Sequence, residues 1–159
     1  MAVVPIDGRV IVGFATSIAN IQSPTVTELT TGSTRLETFI TPDGLEITPA
    51  TGKVDVSNLG SVANAARAGR IDWTIKVTFH HDGTTDTAWN LFPYRTAGYL
   101  WVRRGIDKAT AVLSTQKVSV YGVESGEPDE TDPKPDGVWD FMVDFMVNEN
   151  GYASRAVVA

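Results

Sequence analysis

Residues 71–80, IDWTIKVTFH, alternate strictly between apolar and polar side chains. Ile71, Trp73, Ile75, Val77 and Phe79 share one side; Asp72, Thr74, Lys76, Thr78 and His80 share the other. A period of two held this long predicts a strand with one dry face. Further strands are expected over Val10–Thr16, Lys53–Ser57, Ala97–Gly105, Thr115–Glu124 and Val138–Asn148. In AGYLWVRRG, Leu100 and Val102 face one way and Tyr99, Trp101 and Arg103 the other. In the last strand Trp139, Phe141, Val143, Phe145 and Val147 form one face. Val138, Asp140, Met142, Asp144 and Met146 form the opposite one.

Helical spacing is brief. In TTDTAWNLFPYR, Thr84 or Thr85 can cap a helix whose first turn holds Asp86. Ala88, Trp89 and Phe92 lie on its apolar side, and Pro93 ends it near Phe92. This two-turn helix is expected to plug one end of a sheet or barrel. Ser23–Pro24 opens a second short helical turn, PTVTELT, stopped by Gly32. It sits inside an expected long loop, residues 23–52, where Thr41–Gly44 (TPDG) reads as a turn. Ser57–Arg70 is rich in small residues and reads as a partly helical turn. Residues 1–8 and 149–159 read as terminal arms. The whole chain, 1–159, is expected to form one all-β domain, a β-sandwich or small barrel with one short packed helix.

Residues 124–137, ESGEPDETDPKPDG, hold six acids, one lysine and three prolines. They join two strong strands, so a hairpin connection with a stiff, charged tip is expected. The acidity of the chain is concentrated here. Residues 1–123 carry 11 Lys/Arg against 10 Asp/Glu, while 124–159 carry 2 against 9. No basic patch of the kind that clamps phosphates is visible. The chain has no cysteine, which removes disulfides, thiolate metal sites and a cysteine nucleophile. No stretch nears the ~20 apolar residues of a membrane span, and MAVVPIDGRV lacks the pattern of a signal peptide. The chain reads as soluble and not secreted.

The two histidines stand together in His80-His81-Asp82. Strand parity sends adjacent side chains to opposite faces, so the pair does not fit one metal. A solvated strand end leading into an Asp82-Gly83 turn is the expectation. Phosphate-loop, dinucleotide and nucleophile-elbow motifs are absent. DETDPKPDG lacks the register of a calcium loop. No catalytic, cofactor or metal residue is assigned. The face carrying Asp140, Met142, Asp144 and Met146 mixes apolar and acidic groups. It reads either as a contact surface or as scattered exposed methionine.

Four segments, taken in order, resemble a known family: SPTVTELTTG (Ser23–Gly32), ITPDGLEITP (Ile40–Pro49), TTDTAWNLFPYRTAGYLWVRRG (Thr84–Gly105) and GVWDFMVDFMVNENGY (Gly137–Tyr152). The chain is similar to the major tail proteins of long-tailed phages, most of all those infecting actinobacteria. The resemblance implies a structural virion protein without cofactor, assembled in the host cytoplasm. It implies hexameric rings whose sheets join into an inner barrel and stack into a tube conducting the genome. Its partners would be further copies of itself, the tape measure, tail-tip and terminator proteins, and passing duplex DNA that it does not grip.

On that reading Asp140, Met142, Asp144 and Met146 are candidates for channel lining or subunit contact, with Asp129 and Glu130 as alternatives. Ring stacking would use the Ser23–Gly52 loop, with Glu28, Asp43 and Glu46, the residues up to Asp7, and the arm after Asn148. Arg103 and Arg104 would either pair with acidic loops of a neighbour or lie solvated at a strand end. Two rival readings remain. One is another β-rich virion protein (tail terminator, connector or decoration protein). The other is a monomeric module binding carbohydrate or protein through a strip such as Tyr94, Tyr99 and Trp101.

Overall fold

Phe92 shows how the chain folds. Its ring packs edge-on against Phe14 and Phe145, both at 5.0 Å, and stacks on Phe79 at 5.6 Å. These three partners lie on strands far apart in sequence. The computed structural model describes residues 3–132, 134–149 and 152–159, with only the backbone for residues 152–155. Its elements are β1 (Val10–Ala15), α1 (Val26–Thr30), β2 (Ser33–Arg35), β3 (Ile40–Asp55), β4 (Ala66–His80), α2 (Thr87–Leu91), β5 (Ala97–Arg104), β6 (Lys117–Ser125), β7 (Asp129–Glu130), β8 (Asp140–Val147) and β9 (Tyr152–Val157).

All pairings are antiparallel, in the order β2-β1-β5-β6-β8-β4-β3. The flank of β6 is shared. Its first half pairs with β9 and its second half with β8. The sheet curls around one apolar cluster that includes Val12, Phe14, Phe79, Phe92, Leu100, Tyr121 and Phe141. It stops short of a closed barrel. A cleft of about 400 Å³ separates β1, at Val10 and Val12, from β3, at Ile40 and Leu45.

A second cluster lies on the other side of β1, β5 and β6, where Ile11, Leu29, Trp101, Val118, Val120, Ala156 and Val158 are buried. These three strands are therefore covered on both faces, as AGYLWVRRG foreshadows with bulky groups on either side. β4 and β8 cover one face each and alternate cleanly, with Ile75, Val77, Phe79, Phe141, Val143 and Phe145 inside. Gly13 and Gly98 let the large rings in. A Cβ on Gly13 would meet Trp101 at 2.5 Å, and one on Gly98 would meet Phe14 at 2.3 Å.

Several expectations change. The 23–52 loop is instead α1, β2 and most of β3, because Leu45 to Thr51 pair with Val77 to Ile71. TPDG is not a hairpin turn but a register slip inside β3, between Ile40 and Leu45. Residues 66–70 extend β4 rather than forming helix. The C-terminal arm is β9, whose Ala156 and Val158 are buried and whose last amides bond to the carbonyls of Gln22, Gln116 and Pro24. Val3–Gly8, by contrast, form no regular element and are exposed. The packed helix has a companion, α1, held by a capping box: Thr25 N donates to Glu28 Oε2 at 2.8 Å and Glu28 N to Thr25 Oγ1 at 3.2 Å. In α2 the cap position is Asp86, not Thr84 or Thr85. Asp86 is left-handed (φ 48°) and its carboxylate turns away to His81.

Arg103 is neither solvated nor free for a neighbour. It is fully buried and donates to the carbonyls of Asp107, Thr110 and Ala111 and to Gln116 Oε1, at 2.8–3.1 Å. The loop after β5 folds around this one side chain. Burial, with Arg35 adding to it, lowers the guanidinium pKa from its usual value. Arg104 stays exposed and reaches Ser119 Oγ at 3.3 Å.

Replacing Arg103 with Met leaves three carbonyls without that donor. It should cost about 3 kcal/mol in chemical denaturation; a loss under about 0.5 kcal/mol would show that water takes over the role. Phe92→Ala should cost about 4 kcal/mol, from lost burial plus a cavity at the focus of the sheet. The Glu28 carboxyl is held below its usual range, first by the Ala19 amide and then by that of Thr25. Its stabilisation is therefore present at neutral pH and is lost as pH falls through the lowered value. The melting-temperature gap between wild type and Glu28→Gln should be largest near neutral pH and close as pH falls through the lowered value; a gap independent of pH would refute the assignment.

Candidate assembly surface

The outer faces of β3, β4 and β8 form one continuous surface. Register places Glu46 opposite Lys76, and Lys76 opposite Asp144. The row thus reads acid, base, acid across three strands. Lys76 Nζ lies 3.7 Å from Asp144 Oδ1, which is covered and takes no hydrogen bond. Thr78 faces Met142, and His80 faces Asp140 with Nδ1 and Oδ1 2.5 Å apart. Met146 lies opposite Glu124 and is exposed. Asp140, Met142, Asp144 and Met146 therefore share this face, as strand parity requires, and Glu46 joins them. Lys76 is the one lysine or arginine in the pairing rows from Glu46 to Asp144, so the face is mixed and net acidic.

Glu28 and Asp43 do not belong here. Glu28 is consumed by the α1 cap and by the Ala19 amide at 2.8 Å. Its helix buries Leu29 in the second cluster. Asp43 is exposed on the register slip of β3. The three acids expected on one ring-contact loop thus lie apart, because that loop is a helix and a strand. Tyr94, Tyr99 and Trp101 do not form one exposed strip: Trp101 is buried with its Nε1 donating to Ser33 Oγ at 2.7 Å. Tyr99 is half-buried beside Glu149, and burial, reinforced by that carboxylate, raises the phenol pKa.

His81 also departs from the expected solvated strand end. Its side chain is almost wholly covered. The ring stacks on Trp139 at 3.9 Å and 18°, beside Trp89 and Phe141. Nδ1 meets Asp86 Oδ2 at 2.7 Å, while Nε2 has no hydrogen bond and lies 4.0 Å from Glu130 Oε1. His81 thereby ties β4, α2, β7 and the start of β8 together. Among the described residues no group of three His, Asp or Glu side chains is placed to hold a metal.

The most prominent feature escaped the sequence reading. β4 pairs with β8 only from Ile75 to His80. From Ala66 to Thr74 it pairs with β3 alone, as a two-stranded ribbon about 30 Å long. The short alternation Leu45, Ile47, Pro49, Thr51 was the signal for β3, but two prolines and two glycines masked it. One side of the ribbon carries Trp73, half-buried against Tyr121 at 5.1 Å, and then Ile71, which is exposed. The outer edge of β3 has no strand beside it.

A chain in the cryo-EM structure of the anti-feeding prophage (AFP) baseplate, 6-fold symmetrised, has a similar fold: TM-score 0.61 at 9% sequence identity, over 98% of this chain and 99% of that one. No match is found among curated proteins. The family model described as "Phage tail tube protein" matches residues 1–159. With its curled antiparallel sheet and a family match over its whole length, the chain belongs to the phage tail tube proteins.

Proposed function

We propose that this protein assembles into closed rings that stack into the tail tube, through which the genome leaves the particle. The ribbon is the observation that carries the reading. Two strands alone are marginal in water, and a long open edge invites another strand. A ribbon that leaves its own core is suited to pair with the sheet of the next copy. That contact joins two different surfaces, and such a contact builds a ring when its rotation closes. The 6-fold symmetrised assembly containing the similar chain supports six copies.

The face bearing Asp140 and Asp144 then suits the channel. A net acidic lining repels phosphates and lets duplex DNA slide. Half-buried Met142 and exposed Met146 add no donor that would hold it. The loop acids Asp129 and Glu130 remain the alternative lining. A single ring is a second reading, favoured by the baseplate origin of the similar fold. It predicts hexamers of fixed size, whereas the tube reading predicts filaments of variable length.

Replacing Gly52–Arg70 by Asn-Gly should join Thr51 to Ile71 through a two-residue turn. We expect this chain to keep its melting temperature and to form neither rings nor tubes in negative-stain microscopy. Tubes from the shortened chain would disprove the role of the ribbon. For the lining, phage carrying Asp140→Lys with Asp144→Lys should eject DNA more slowly, by on the order of tenfold, at unchanged particle yield. Asp140→Asn with Asp144→Asn serves as the control for lost pairing with His80 and Lys76. Equal ejection rates for the Lys pair and wild type would remove this face from the channel.

A further inference from the structure

The two ends of β4 carry opposite chemistry. At the free end, the loop between β3 and β4 is braced by its own bonds. Ser57 N donates to Asp55 Oδ1 at 2.8 Å, Ala65 N to Ser57 Oγ at 2.8 Å, and Gly60 N to Asn58 Oδ1 at 3.0 Å. On this braced loop Leu59 and Val62 are 108% and 105% exposed. No contact in the chain explains two aliphatic side chains standing clear of their own loop. Lys53, Arg67 and Arg70 flank them, and all three are exposed. The only acid between residues 53 and 70 is Asp55.

At the other end, past His80, Val138 and Trp139 are 66% and 58% exposed. Trp139 is fixed from beneath by the His81 ring. Beside it runs the acidic connection, with β7 pairing Asp129 and Glu130 against Met142 and Phe141. Glu127 and Pro128 line a depression with Trp89 and Tyr94. This pole offers an apolar, rigid seat ringed by carboxylates. The free tip offers two aliphatic side chains, with Arg67, Lys53 and Arg70 on the ribbon behind them.

We propose that the axial contact between successive rings is made by these two poles. The β3–β4 tip of one copy seats Leu59 and Val62 against Val138 and Trp139 of a copy in the next ring. Arg67 and Arg70 then face Glu127 and Asp129 of that copy. The inference rests on the ring reading above and adds which surfaces stack. Its geometry follows from one strand. Surfaces at opposite ends of β4 that fit each other make a head-to-tail contact, and such a contact directed along the strand, with no rotation that closes, extends as an open stack. Repetition along the strand direction builds length, whereas pairing along the open β3 edge builds circumference. Desolvated aliphatic and aromatic groups supply affinity, and the surrounding charges fix orientation and partner.

Cysteine mapping reads the contact directly, since the chain has no cysteine of its own. Leu59→Cys chains mixed with Trp139→Cys chains and oxidised should give a covalent dimer that neither variant gives alone. In negative stain, Arg67→Glu with Arg70→Glu should leave rings intact and abolish tubes. Adding Glu127→Lys with Asp129→Lys to the same chain should restore tubes by exchanging the charges. Wild-type tubes should also shorten as ionic strength rises.

Full-length tubes from the Arg67/Arg70 variant, or no mixed dimer, would overturn the proposal. Loss of rings together with tubes would also overturn it, by placing the tip within a ring. Wild-type chains that form neither rings nor mixed dimers would sink the ring reading itself, and this contact with it.

Discussion

The packing of Phe92 against Phe14, Phe79 and Phe145 holds the architecture. These rings come from β1, β4 and β8, strands near opposite ends of the sheet order. One side chain at the C-cap of a five-residue helix therefore draws the sheet into its curl. The curl decides where the cleft beside β1 falls, where the β3 edge emerges and which face of β4 and β8 looks outward. Gly98 is part of the same constraint, because any Cβ there would collide with Phe14.

The second fixed point is electrostatic. Arg103 brings a charge into a fully buried position and spends it on four acceptors of one loop. A charge can stay buried only with such partners. The loop between β5 and β6 is thereby tied against the second cluster, where β9 also docks. The C-terminal strand and this loop stabilise the same side of the sheet. The first cluster is left to shape the side that bears the ribbon and the acidic face.

Local pattern was enough to find β1, β4, β5, β6 and β8: β4 and β8 alternate over their buried length, and the other three are rich in β-branched and aromatic residues and buried on both faces. It was also enough to sort Asp140, Met142, Asp144 and Met146 onto one face. What failed were segments whose structure is decided by a distant partner. β3 carries Pro42, Gly44, Pro49 and Gly52, and reads as loop until β4 supplies its ladder. β9 is a strand because β6 has a vacant flank, which no local signal in its own residues announces. His81 follows parity correctly but is buried by Trp139 and Trp89. Arg103, placed last but one in its strand, resembles a solvated end until the loop after it is seen to wrap round.

The prolines of β3 have a consequence for the fate of unassembled protein. An exposed sixteen-residue edge in a crowded cell would ordinarily nucleate indiscriminate cross-β aggregation. Proline is tolerated at a sheet margin and removes amide donors from it. The slip around Pro42 bends the ladder, and Glu46 and Lys53 put charges along the same margin. A stray strand therefore meets an interrupted template, with missing donors at Pro42 and Pro49 and a bend between them. Only a partner whose own irregularities match will zip along the full length. On the tube reading proposed above, that interruption would hold unassembled chains apart until the matching edge of another copy selects them.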